Sequence, residues 1–75
     1  MVRIDEIERA LMAAFPEAKV QVADTTGGGD HFDVRVVAAQ FSGHGLVDQH
    51  RMIYGALGVL MPRIHALQLH TDVPA

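Results

Sequence analysis

A two-layer α+β domain, with helices over one face of a small mixed sheet, is predicted by three features of the chain. Apolar residues recur at helical spacing near the N-terminus, alternate from residue 18 to 37, then return to helical spacing and finally to alternation. Glycine and proline clusters fall where the period changes, and turn residues belong there. No repeat, linker or low-complexity tract interrupts the 75 residues, so one domain over 1–75 is expected.

The first helix follows from Ile4, Ile7, Ala10, Leu11, Ala14 and Phe15, spaced by threes and fours. Asp5 with Glu8 three residues on resembles a capping box, acids in the first turn suit the helix dipole, and Pro16 stops the run. Val20 and Val22 then alternate with Lys19 and Gln21, and Phe32, Val34 and Val36 with Asp33 and Arg35, as in two half-buried strands. The intervening DTTGGGDH has three adjacent glycines and reads as a mobile hairpin loop. AQFSGHG reads as a turn that tucks Phe41 into the core.

A long second helix is predicted from Leu46 through His50, Ile53, Tyr54, Leu57, Leu60 and Met61, roughly 22 Å at ~1.5 Å per residue, ended by Pro62. Gly55 and Gly58 would each cost that helix about 1 kcal/mol, so close packing on their face is expected. IHALQLH makes the third strand, with His65, Leu67 and Leu69 on one side and Ala66, Gln68 and His70 on the other.

Composition narrows the function. The chain is 49% hydrophobic, enough for a core, and has no cysteine, so it has neither disulfide nor thiolate. A net charge of −3 gives nucleic acid no broad footprint. Asp5, Glu6 and Glu8 near the N-terminus are unlike a targeting peptide, and no apolar run approaches ~18 residues; a soluble cytoplasmic protein is expected. Catalysis is not expected: Ser42 stands alone in a turn, no carboxylates pair in an apolar setting, and GGGD lacks the spacing and lysine of a phosphate loop.

Five histidines remain. His65, directly after the proline turn, reads either as a strand-edge residue bonded to backbone or as a metal ligand; His31, beside Asp30, reads either as a solvated loop residue or as a second ligand that a flexible loop could bring in. His50 belongs to the helix edge, and His44 and His70 to the surface.

Taken together, the helix ending in Phe15-Pro16, the loop TTGGGDHF, the turn Phe41 to Gly43, the helix LVDQHRMIYGAL and the strand IHALQLHT resemble the BolA family over nearly the whole chain. The resemblance implies an αββααβ fold of the class II KH type, a three-stranded mixed sheet with a short helical turn before the long helix. It also implies a non-enzymatic partnership with a monothiol glutaredoxin in iron-sulfur cluster handling. A [2Fe-2S] cluster would be shared, the glutaredoxin cysteine and glutathione giving thiolates, and His65 and His31 matching the strand and loop ligands of the family. The isolated chain is then expected to be colourless and monomeric.

Other family members are linked to transcriptional regulation and cell morphology under stress, so a DNA-binding regulator is the competing expectation. Arg51 and Arg63 are the candidate surface residues for a partner or nucleic acid. Gln49 stands where many members have a basic residue, which weakens that surface, and neither GHGL nor GGGD supplies the GxxG of a nucleic-acid-binding KH module.

Overall fold

The computed structural model describes all of residues 1–75. Helix α1 (Ile4–Ala14) leads into strands β1 (Lys19–Asp24) and β2 (His31–Val37), a 3-10 turn at Ala39–Phe41, helix α2 (Leu46–Leu57), a 3-10 segment at Gly58–Arg63, and strand β3 (Ala66–Asp72). The sheet order is β1-β2-β3, with β1 antiparallel to β2 and β2 parallel to β3. This is the mixed-sheet α+β domain that the change of periods predicts.

Alternation decides the two sheet faces. Phe32, Val34 and Val36 of the central strand are buried, with Val20 and Val22 of β1 and Leu67 and Leu69 of β3 beside them in register. Over that face lie Ile7 and Leu11 from α1, Ile53 and Leu57 from α2, and Phe41 from the 3-10 turn, whose ring meets that of Phe15 with centroids 5.2 Å apart. No polar or charged residue is buried in this core, so burial costs no unpaired charge.

Four details differ from the sequence reading. Helix α2 ends at Leu57, about 18 Å long at ~1.5 Å per residue, because Gly58 takes a positive φ of 48° and the chain continues as a 3-10 segment that contains Pro62. The glycine pair is not a packing face: a side chain at Gly55 or Gly58 would meet nothing within 4 Å. At α1 the helix cap is formed by Glu6, whose carboxylate accepts the Arg3 N–H at 2.8 Å; Asp5 instead pairs with Arg3 at 3.0 Å and Arg9 at 3.4 Å.

Last, the glycine loop is tied rather than loose. The Asp24 carboxylate accepts the N–H groups of Gly27 and Gly29, both at 2.9 Å, and of Thr26 at 3.3 Å. No helix is long and apolar enough to cross a membrane.

Candidate metal centre

Because β2 and β3 run parallel, with His31 in register with Ala66, the first residue of β2 and the residue just before β3 come to the same end of the sheet. There the rings of His31 and His65 stand edge to face, with centroids 5.0 Å apart and planes at 80°. One peptide group holds both backbones in place: the Asp30 carbonyl accepts the N–H of His65 at 2.8 Å and of Ala66 at 3.0 Å. On the other side the His31 carbonyl accepts the Thr25 N–H at 3.0 Å and its hydroxyl at 3.2 Å. A shallow cleft of about 250 Å³ opens beside the pair, lined by Thr25, His31, Phe32, Ala66, Leu67 and Gln68.

The structure thus exchanges the settings expected for the two histidines. His31 belongs to strand β2 and is half-buried, not carried by a mobile loop, whereas the exposed His65 precedes β3 and is fixed only through its backbone. The Nδ1 atom of His31 is buried without a hydrogen-bond partner and lies 3.4 Å from the Asp30 carboxylate.

A strap from the N-terminus closes this end of the molecule. Val2 is 1% exposed and donates its N–H to the Gly29 carbonyl at 2.8 Å, while the Arg63 guanidinium reaches the Met1 carbonyl at 2.7 Å and Glu6 at 3.5 Å. The strap therefore spans the loop before His31 and the segment before His65. The Arg3 N–H, and after it the Arg63 guanidinium, holds the Glu6 carboxyl below its usual value.

The remaining candidates lie elsewhere. His70 is further along β3, roughly 13 Å from Ala66 at ~3.3 Å per residue, and sits half-buried 3.3 Å from Asp33 on the face of the sheet that the helices leave open. His44 is exposed in its turn, and His50 on α2 has a buried Nε2 without a partner. Arg51 is exposed on α2, but Arg63 is engaged by the N-terminal strap. Gln49 is half-buried and turned inward, accepting the Thr71 hydroxyl at 2.6 Å and donating to the His44 carbonyl at 2.7 Å.

Chemically, the site offers two imidazole nitrogens. No group of three or more histidine, aspartate or glutamate side chains is placed to hold a metal ion. A metal between these rings would need further ligands from outside the chain. Sequence reasoning missed the strap and the carbonyl of Asp30. The Asp-Thr-Thr-Gly start of the loop did contain a turn signal, since an aspartate side chain readily accepts backbone N–H groups two and three residues on.

A family model described as BolA-like protein matches residues 10–75. The chain is 39% identical over 70 residues to Protein BOLA2 of Arabidopsis thaliana, an alignment covering 92% of this chain and 75% of that protein. It is 38% identical over 75 aligned positions to the DNA-binding transcriptional regulator BolA of Escherichia coli, covering 89% of this chain and 71% of the relative. The crystal structure of a bol-like protein from Babesia bovis superimposes with a TM-score of 0.89 at 32% identity, over 99% of this chain and 87% of that one. With a sequence match that runs from within α1 to the C-terminus, and the same fold in a relative at this identity, the chain belongs to the BolA-like family.

Proposed function

We propose that this chain is a non-enzymatic partner of a monothiol glutaredoxin in iron-sulfur cluster assembly, trafficking or iron sensing, with a [2Fe-2S] cluster as the shared cargo. The observation that carries the reading is the pairing of the His31 and His65 rings, 5.0 Å apart at one end of the sheet. Two imidazoles without a thiolate are an incomplete donor set for iron, and the glutaredoxin cysteine and glutathione would supply the sulfur. Imidazole ligation also raises the potential of such a cluster relative to ligation by thiolate alone.

Anaerobic co-purification with a monothiol glutaredoxin and glutathione tests this. The expected result is a coloured mixed complex, with the isolated chain colourless and monomeric. A stable cluster reconstituted on this chain alone contradicts the shared-ligand reading. Since the structure brings both rings to one end of the sheet, His31→Ala and His65→Ala are each expected to weaken the mixed cluster. A cluster spectrum and lifetime that survive His65→Ala but are lost with a change at His50 or His70 would refute the ligand assignment.

A second reading, a DNA-binding regulator, is favoured by the description of the Escherichia coli relative. The charge of −3 and the presence of Arg51 as the sole arginine or lysine of α2, with Arg63 occupied internally, weigh against it. Binding to a defined promoter that stays tight at about 150 mM salt would favour the regulator.

A further inference from the structure

We infer that Asp30 is a positioning residue that sets the tautomer of His31, so that Nε2 is the ring atom presented for ligation. This rests on the reading of His31 as a ligand, and it concerns how the chain prepares that ligand before any metal arrives.

His31 Nδ1 is buried with no hydrogen-bond partner, and the nearest charge is the Asp30 carboxylate oxygen at 3.4 Å. A lone pair on Nδ1 would face that negative oxygen and be repelled, whereas an N–H there is attracted to it. The neutral ring therefore carries its proton on Nδ1 and leaves the lone pair on Nε2. The side chain is 33% exposed while Nδ1 is buried, so the accessible part of the ring excludes Nδ1.

The carboxylate is itself placed by its surroundings. The Thr26 hydroxyl donates to it at 3.5 Å, and it lies over Gly28, where a Cβ would come within 3.1 Å of the same oxygen. Asp30 thus acts on the two histidines through different atoms: its side chain faces the His31 ring, and its carbonyl holds the His65 backbone. A change of side chain removes the first contact and leaves the second.

The test uses two variants, Asp30→Ala and Asp30→Asn. Long-range proton-nitrogen NMR on the isolated chain at about pH 8, where imidazole is neutral, reads the His31 tautomer directly. The wild type is expected to show the Nδ1–H form. Asp30→Ala should move the population toward Nε2–H, the form that a free imidazole side chain favours in water, and Asp30→Asn should retain part of the Nδ1–H population because its amide oxygen still presents partial negative charge to that side of the ring.

In the mixed complex, the cluster lifetime is expected to fall about 10-fold in Asp30→Ala and less in Asp30→Asn. The amide signals of His65 and Ala66 serve as the structural control, since their acceptor is a backbone carbonyl. An Nε2–H form in the wild type, or an unchanged tautomer in Asp30→Ala, overturns the assignment. Because the tautomer is read without a cluster, failure of the wild type to form any mixed complex would count against the functional reading, and the NMR result would still decide the role of Asp30.

Discussion

The histidine end of the sheet and the outer face of α2 are built on opposite terms. At the first, the Asp24 carboxylate, the Asp30 carbonyl, Val2 and Arg63 tie loop, strand ends and N-terminus together through hydrogen bonds of 2.7–3.0 Å. At the second, Leu46, Val47 (66% exposed), Tyr54 and Gly55 face solvent, and beyond the adjoining residues and backbone of α2 itself no atom lies within 4 Å of where a Gly55 Cβ would stand. The contrast shows where order is needed. His31 and His65 come from distant parts of the chain, and fixing a backbone residue costs about 1–2 kcal/mol of conformational entropy, so rings held ready together require ties that a self-contained helix surface does not.

Two glycines put that contrast to its hardest test, because one substitution should have opposite signs at the two places. Gly29 has φ +73°, and an added Cβ would stand 2.6 Å from Met1 Cγ and 3.0 Å from the Val2 carbonyl oxygen. The methionine chain can move aside, but the carbonyl belongs to the strap. Gly29→Ala is expected to lower unfolding free energy by about 1–3 kcal/mol and to speed hydrogen exchange at Val2. An unchanged denaturation midpoint would mean that the strap does not hold this end.

The sequence made the elements legible wherever a period ran uninterrupted. Helix α1 and the three strands follow directly from their apolar spacing, and the core positions Ile7, Leu11, Phe32, Val34, Val36 and Phe41 are among the residues it singles out. The end of α2 was hidden because Leu60 and Met61 continue the helical spacing and Pro62 is a stronger stop signal than Gly58, although a glycine at positive φ is a common way for a helix to end. The order of the glycine loop was hidden because glycines signal freedom, while the restraint lies in the Asp24 side chain. Proximity of His31 and His65 depends on the parallel pairing of β2 with β3, which no local pattern encodes, and the role of Arg63 depends on a carbonyl at the other end of the chain.

At Gly55 the same substitution should be gentle and favourable. The residue lies inside α2 without a positive φ, and a methyl group there meets nothing within 4 Å. Alanine is the better helix former by about 1 kcal/mol, so Gly55→Ala is expected to raise stability by up to that amount, seen as a later midpoint in urea with an unchanged slope. Destabilisation by Gly55→Ala would show that the outer face of α2 is constrained after all, and the contrast with the histidine end would fail.

The smallest expected effect sharpens the comparison through pH. The carboxyl of Glu6 is lowered from 4.5, chiefly by the Arg3 N–H it accepts and then by Arg63, and both contacts belong to the tied end. A carboxyl with a depressed folded pKa contributes stability that is fully present above its unfolded value and is lost as pH falls through the folded one. That loss therefore opens below 4.5 and not near neutrality. Glu6→Gln should be slightly less stable than the wild type at neutral pH, and the gap should close as the solution is acidified below that value. The side chain is solvent-accessible, so salt should narrow the part due to Arg63 and leave the Arg3 cap largely intact. Thermal melts of the two proteins across acid pH, with and without added salt, check this; a gap that persists unchanged into strong acid would show that Glu6 contributes through something other than its charge.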